Sequence, residues 1–176
     1  DQLAEDNRAF AVVNMPRPVK VLCVTPGSDA LVLALQTEEV RKIANVTVEA
    51  PAILETKAHQ DQAAEGAFDV IIYDQCSPKV MPACSTLFIG SLPTAPKDAA
   101  PPAAEAGAAA APEAGWKAAK ELSSPIVIDV NQVHPLTQLV QMGNVRILYA
   151  TPLTGPQGTV TLIDSDEGAI YSIGPR

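Results

Sequence analysis

Positive charge is scarce in this chain. Twelve Lys and Arg stand against 20 Asp and Glu in 176 residues, so 12 − 20 gives a formal net charge of −8. Nucleic acid and anionic membrane surfaces demand clustered bases, so this balance argues against both as partners. Long apolar runs are missing too. None approaches the roughly 20 residues needed to span a bilayer, so direct membrane insertion by this stretch is not expected. Cysteine is limited to Cys23, Cys76 and Cys84. An odd number leaves one thiol over, and no CxxC or Cys/His spacing suits zinc, so no metal is expected. In an oxidising compartment a loop disulfide between Cys76 and Cys84 is the alternative to free thiols. Phosphate-binding glycine loops are also absent: neither GxGxxG nor GxxxxGKS/T occurs, and no cofactor is expected.

What is present suits a single-core α/β protein. Hydrophobic residues make up 47%, too many for a wholly disordered chain. The chain starts at Asp1 with no apolar leader, which reads as a piece of a longer protein. Residues 1–15, with the apolar run Phe10–Val13, read as a tail or strand of a preceding domain, closed off by Pro16 and Pro18. Residues 16–176 then form the α/β domain. Val19–Val24 is a β-branched run suited to a strand buried on both faces. It stops at the turn and cap residues Thr25–Asp29, before a helix over about 29–43 carrying Leu31, Leu35 and Val40. Asn45–Val48 is a second strand, His59–Gly66 a weak polar helix, Phe68–Tyr73 the strongest strand, and Thr86–Ile89 a fourth. Alternating strands and helices predict parallel crossovers.

The rhythm breaks at residues 94–115, where 11 Ala and 4 Pro fill 22 positions with no apolar side chain larger than Ala. Such a segment buries too little to offset its ordering entropy, so a mobile surface insertion is expected, with Trp116 anchoring the returning chain. Ile126–Val130 resumes as a fifth core strand. A short helix from His134 holds Leu136, Leu139 and Val140 and ends at Gly143, and Val145–Tyr149 is a further strand. Thr159–Ile163 and Ala169–Ile173 form a hairpin with a five-residue loop, at an edge of the mainly parallel sheet.

Ligands of open parallel sheets collect beyond the carboxyl ends of the strands, which makes Thr25, Gly27, Ser28, Asp74 and Ser91 the candidate cleft. The Thr25–Ser28 turn has the position for an anion cradle, although a plain turn with an N-cap is the simpler reading. Asp74 ends the third strand, where receiver domains hold their phospho-acceptor. That chemistry needs acids after the first strand and a later lysine, both missing here, so Asp74 reads as a cap on the following turn. For nucleophilic catalysis the sharpest set is Cys76 as thiolate, His134 as its base and Asp129 to orient the imidazole. His59 is set aside because it lies in a polar helix. The stretch around Cys76 lacks the flanking glycines of a nucleophile elbow, and Pro93 follows Ser91 where a helix and its oxyanion amides are needed.

A series of short motifs carries a family resemblance: Leu3–Val13 (LAEDNRAFAVV), Val19–Gly27 (VKVLCVTPG), Phe68–Asp74 (FDVIIYD), Thr86–Gly90 (TLFIG) and Asn131–Leu136 (NQVHPL). Together they resemble a domain of large bacterial membrane-anchored proteins that carry a Bat-type aerotolerance N-terminus and a von Willebrand factor A domain. That domain is similar to the class I glutamine amidotransferases. The resemblance implies a three-layer, flavodoxin-like α/β fold, mainly parallel with a C-terminal antiparallel hairpin. It also implies an extracytoplasmic, periplasmic location. True amidotransferases carry a GxCxG elbow and a His-Pro-Glu; the matching positions here are Gly90-Ser91-Leu92 and His134-Pro135-Leu136. The expectation is therefore a non-catalytic binding or scaffolding module, its partner another protein or other domains of its parent chain. The alternative is a thiol-dependent hydrolase or amidotransferase-like enzyme using Cys76, His134 and Asp129.

Overall fold

The computed structural model describes residues 17–93 and 115–175. The expected tail over 1–15 and all but the last residue of the expected 94–115 insertion lie outside them. The chain divides into two compact units, one of residues up to Asp74 with Pro82–Leu87, the other of Gln75–Met81 with Phe88 onward.

The first unit is built on a four-stranded sheet of order β2-β1-β3-β4, from β1 (Val19–Val24), β2 (Ala44–Glu49), β3 (Val70–Asp74) and β4 (Ser85–Ile89). β1 pairs in parallel with both β2 and β3. The two central strands carry the apolar runs Val21–Val24 and Val70–Tyr73 because both of their faces are covered there. Leu22, Cys23, Val24, Ile71 and Tyr73 are all at most 1% exposed. On one face Val21, Cys23 and Ile72 meet Leu31, Leu35 and Val40, from the helices that join β1 to β2.

Those helices correct the expectation of one helix over 29–43. They are α1 (Asp29–Leu35) and α2 (Glu38–Ile43), broken at Gln36-Thr37. Thr37 turns its backbone to extended geometry (φ −61, ψ 155) and caps a new helix with Glu38 and Glu39 in its first turn and Arg41 and Lys42 in its last. That charge order complements the helix dipole. A 3-10 turn (Pro51–Glu55) and α3 (Lys57–Ala64) lead on to β3. At the start of β3, Asp69 accepts two hydrogen bonds from Arg17 (2.6 and 2.9 Å) and one from the Lys20 amide (2.8 Å). The Arg17 hydrogen bonds, followed by the Lys20 amide, hold its carboxyl at about 2.

His59 of α3 is buried, 4% exposed, beside Phe68. Its Nδ1 has no hydrogen-bond partner among the described residues, and burial lowers its pKa from the ordinary 6.5. The unfolded chain therefore takes up a proton here before the folded one does. Stability is fully present above about 6.5 and is lost as pH falls through that value toward the lowered folded pKa. Urea melts at pH 8, 6.5 and 5 are expected to show this loss, and His59→Phe to flatten it. An unchanged slope in the variant would contradict the assignment.

The second unit is antiparallel. Two short ladders pair β5 (Lys117–Ala118) with β9 (Leu153–Thr154) and β6 (Leu122–Ser123) with β8 (Tyr149–Ala150). A three-stranded sheet has the order β11-β10-β7, from β7 (Val127–Val130), β10 (Val160–Ser165) and β11 (Gly168–Ile173). Trp116 rests against Gly174, where an added Cβ would lie 2.6 Å from its Cζ2.

Five expectations are corrected here. Residues 126–130 do not extend the parallel sheet: β7 joins the C-terminal hairpin instead, and Asp129 interrupts the apolar run that a strand buried on both faces needs. The hairpin accordingly lies in its own sheet rather than at an edge of the parallel one. Its strands run on to Ser165 and Gly168, leaving a two-residue turn, Asp166-Glu167, in place of a five-residue loop. Gly168 sits there at φ +129, a conformation open to glycine. Finally, residues 134–143 form turns rather than a helix, and of the expected strand Val145–Tyr149 only Tyr149 pairs, in β8. Leu136 and Leu139 are 53% and 88% exposed, so no apolar face is buried to hold so short a helix.

Candidate functional site

In the first unit the strand ends bring Thr25, Gly27, Ser28 and Asp74 into one network. Thr25 follows β1 and Asp74 ends β3; both are buried, 5% and 3% exposed. The Thr25 hydroxyl donates to Asp74 Oδ2 at 2.6 Å. The same oxygen accepts the amides of Gly27 (3.2 Å) and Ser28 (3.0 Å). One hydroxyl thus serves a buried carboxylate and closes the turn. Gly27 takes φ +128 there, and Ser28 is the N-cap of α1 without a side-chain capping bond.

Two consequences follow for chemistry. The amides that would cradle an anion are already engaged by Thr25 Oγ1, and Asp29 places a carboxylate in the first turn of α1. Asp74 accepts the hydroxyl of Thr25, the residue that follows the neighbouring strand β1. The partner lies 49 residues away in sequence, so no spacing rule discloses it.

In the second unit the loops after β3 and β4 are tied to each other. Gln75 adopts φ +51, an unusual backbone for a side-chain-bearing residue, and its amide donates to the Ile89 carbonyl at 2.8 Å. Gly90 turns at φ +65, and a Cβ there would meet Gln75 Cγ at 3.3 Å. The Ser91 hydroxyl donates to the Cys76 carbonyl (2.7 Å) and the Ser77 hydroxyl to the Leu92 carbonyl (2.6 Å). Cys76 is half-buried, while Cys23 and Cys84 are buried. All three are thiols in this structure.

His134 is held inside its own turn. Its Nδ1 accepts the Leu136 amide (3.2 Å), and its carbonyl accepts the amides of Thr137 and Gln138. A nitrogen that accepts carries no proton on that side, so it cannot also donate to an orienting carboxylate. Asp129 lies on β7 directly across from Asp164 of β10. The acid–imidazole half of the sequence-derived triad is therefore not assembled. Thr137, fully buried and bonded to the Asn131 carbonyl at 2.5 Å, organises this turn, a role the sequence does not announce.

Among the described residues no group of three His, Cys, Asp or Glu is placed to hold a metal ion, and no helix is long and apolar enough to cross a membrane. No protein-family model, curated protein or solved structure matches this chain.

Proposed function

We propose that this chain is a non-catalytic binding or scaffolding module. In this reading it is a degenerate amidotransferase-like domain with a three-layer, flavodoxin-like core, belonging to the extracytoplasmic part of a larger membrane-anchored bacterial protein of the Bat-type, von Willebrand factor A kind. It docks a protein partner or other domains of its parent. The order β2-β1-β3-β4 supports the core assignment, because it matches the first four positions of the flavodoxin order.

One observation carries the loss of catalysis. Ser91 holds the place of the family nucleophile, and its hydroxyl donates to the Cys76 carbonyl at 2.7 Å. A nucleophilic hydroxyl gives its proton to a base; a peptide carbonyl cannot take one. The test is labelling with a fluorophosphonate probe, followed by peptide mapping. Ser91 is expected to label no more than the background of a Ser91→Ala variant. Stoichiometric labelling at Ser91 would overturn the proposal.

A further inference from the structure

We propose that the outer edge of β7 docks an extended, lysine- or arginine-bearing segment of a partner protein, added as a fourth strand to the β11-β10-β7 sheet. The inference rests on the reading of the chain as a binding module and names the chemistry of what it binds.

Among the described residues β7 has one neighbouring strand, β10. The Asn131 amide faces that neighbour, donating to the Leu162 carbonyl at 2.9 Å. Strand alternation then turns the backbone groups of Val130 to the opposite side. The alternation breaks below it: Asp129 pairs with Asp164 and Val127 with Ser165, which leaves Ile128 as an extra residue in a bulge of β7. Pro125 and the bulge guard the start of this edge, which leaves the stretch at Asp129 and Val130 as the open template for another strand. Beside it Ile126 and Ile128 stand 65% and 63% exposed.

Charge selects the occupant. The segments 126–135 and 156–175, which hold this sheet, contain Asp129, Asp164, Asp166 and Glu167 and no Lys or Arg. Asp129 and Asp164 are register partners, an arrangement that like charges disfavour. Both line an open concavity of ≈ 490 Å³ together with Asn131 and Thr161. A cationic side chain entering there relieves the repulsion between the two carboxylates, while alternate apolar side chains meet Ile126 and Ile128. A second copy fits poorly, because edge-to-edge pairing of two β7 strands sets four acids against four with no base between them.

The test is fluorescence anisotropy on the whole chain with two labelled octapeptides, one alternating lysine with valine and one alternating glutamate with valine. Saturable binding of the lysine peptide alone is expected. Asp129→Lys, an exposed change that leaves the strand pairing intact, should weaken it about tenfold. Val130→Pro removes an outward amide and should abolish it. Equal binding by Asp129→Lys, binding of both peptides alike, or binding of neither would overturn the inference. So would a dimer in sedimentation that Val130→Pro dissolves, which would give the edge to a second copy. Ser91 labelling is scored on the same protein: inert Ser91 with no peptide binding sinks the docking edge alone, whereas reactive Ser91 sinks the module reading.

Discussion

Replacing Ile71 by Ala is expected to lower the unfolding free energy by about 3–4 kcal/mol, and Ile128→Ala by less than about 0.5 kcal/mol. The two positions hold the same side chain on a strand, and burial alone separates them: Ile71 is 0% exposed and Ile128 63%. Ile71 lies on β3, paired with Leu22 of β1, itself 1% exposed. Truncation there removes apolar atoms from a site whose neighbours are fixed by the parallel ladder, so the cavity collapses little and the full cost is felt. A loss of this size is a large share of the stability of a small folded unit. Urea denaturation of both variants measures it. Comparable losses at the two sites would mean that β1 and β3 are not the buried centre.

The second large effect concerns Thr25. Thr25→Val keeps the shape but removes the hydroxyl, leaving the Asp74 carboxylate without its donor and the Gly27 and Ser28 amides without their acceptor. A buried polar group left unpaired costs about 1–3 kcal/mol, more when it is charged, so a loss near the top of that range is expected. Removing both partners is milder than removing one. Thr25→Val with Asp74→Leu should therefore lose less than the sum of the single changes, with a coupling of about 1–2 kcal/mol. Asp74→Asn, which still offers an oxygen to Thr25, should stay close to the parent. Strict additivity in the double-mutant cycle would contradict the network.

How much of this was legible in the sequence depended on the range of the interaction. β1 and β3 were plain because central parallel strands need apolar side chains on both faces, and VLCV and VIIY supply them. The break between α1 and α2 had a local signal as well, Thr37 followed by Glu38 and Glu39, but the stripe of Leu31, Leu35 and Val40 overrode it. β7 pairs in another sheet because strand pairing is a choice among distant partners, and the one local mark in Ile126–Val130, Asp129, is outweighed by its apolar neighbours. At the candidate site, Thr25 and Asp74 were identified as residues but not as a pair, since a contact across 49 residues has no spacing. His59 was set aside for its polar helix neighbours, yet it is buried, because burial follows where α3 lies and not the polarity of adjacent positions. The accepting Nδ1 of His134 was likewise invisible, since it depends on how the turn at Pro135 folds back on the ring.

The most direct test of a non-catalytic module is the rate at which Cys76 reacts with iodoacetamide from pH 5.5 to 9.5, followed by mass mapping beside N-acetylcysteine. With His134 Nδ1 engaged by its own turn, Cys76 is expected to react no faster than N-acetylcysteine at every pH, and His134→Ala to change nothing. A Cys76 already reacting at full rate near pH 6, and losing that rate in His134→Ala, would show a working thiolate–imidazole pair and contradict the account.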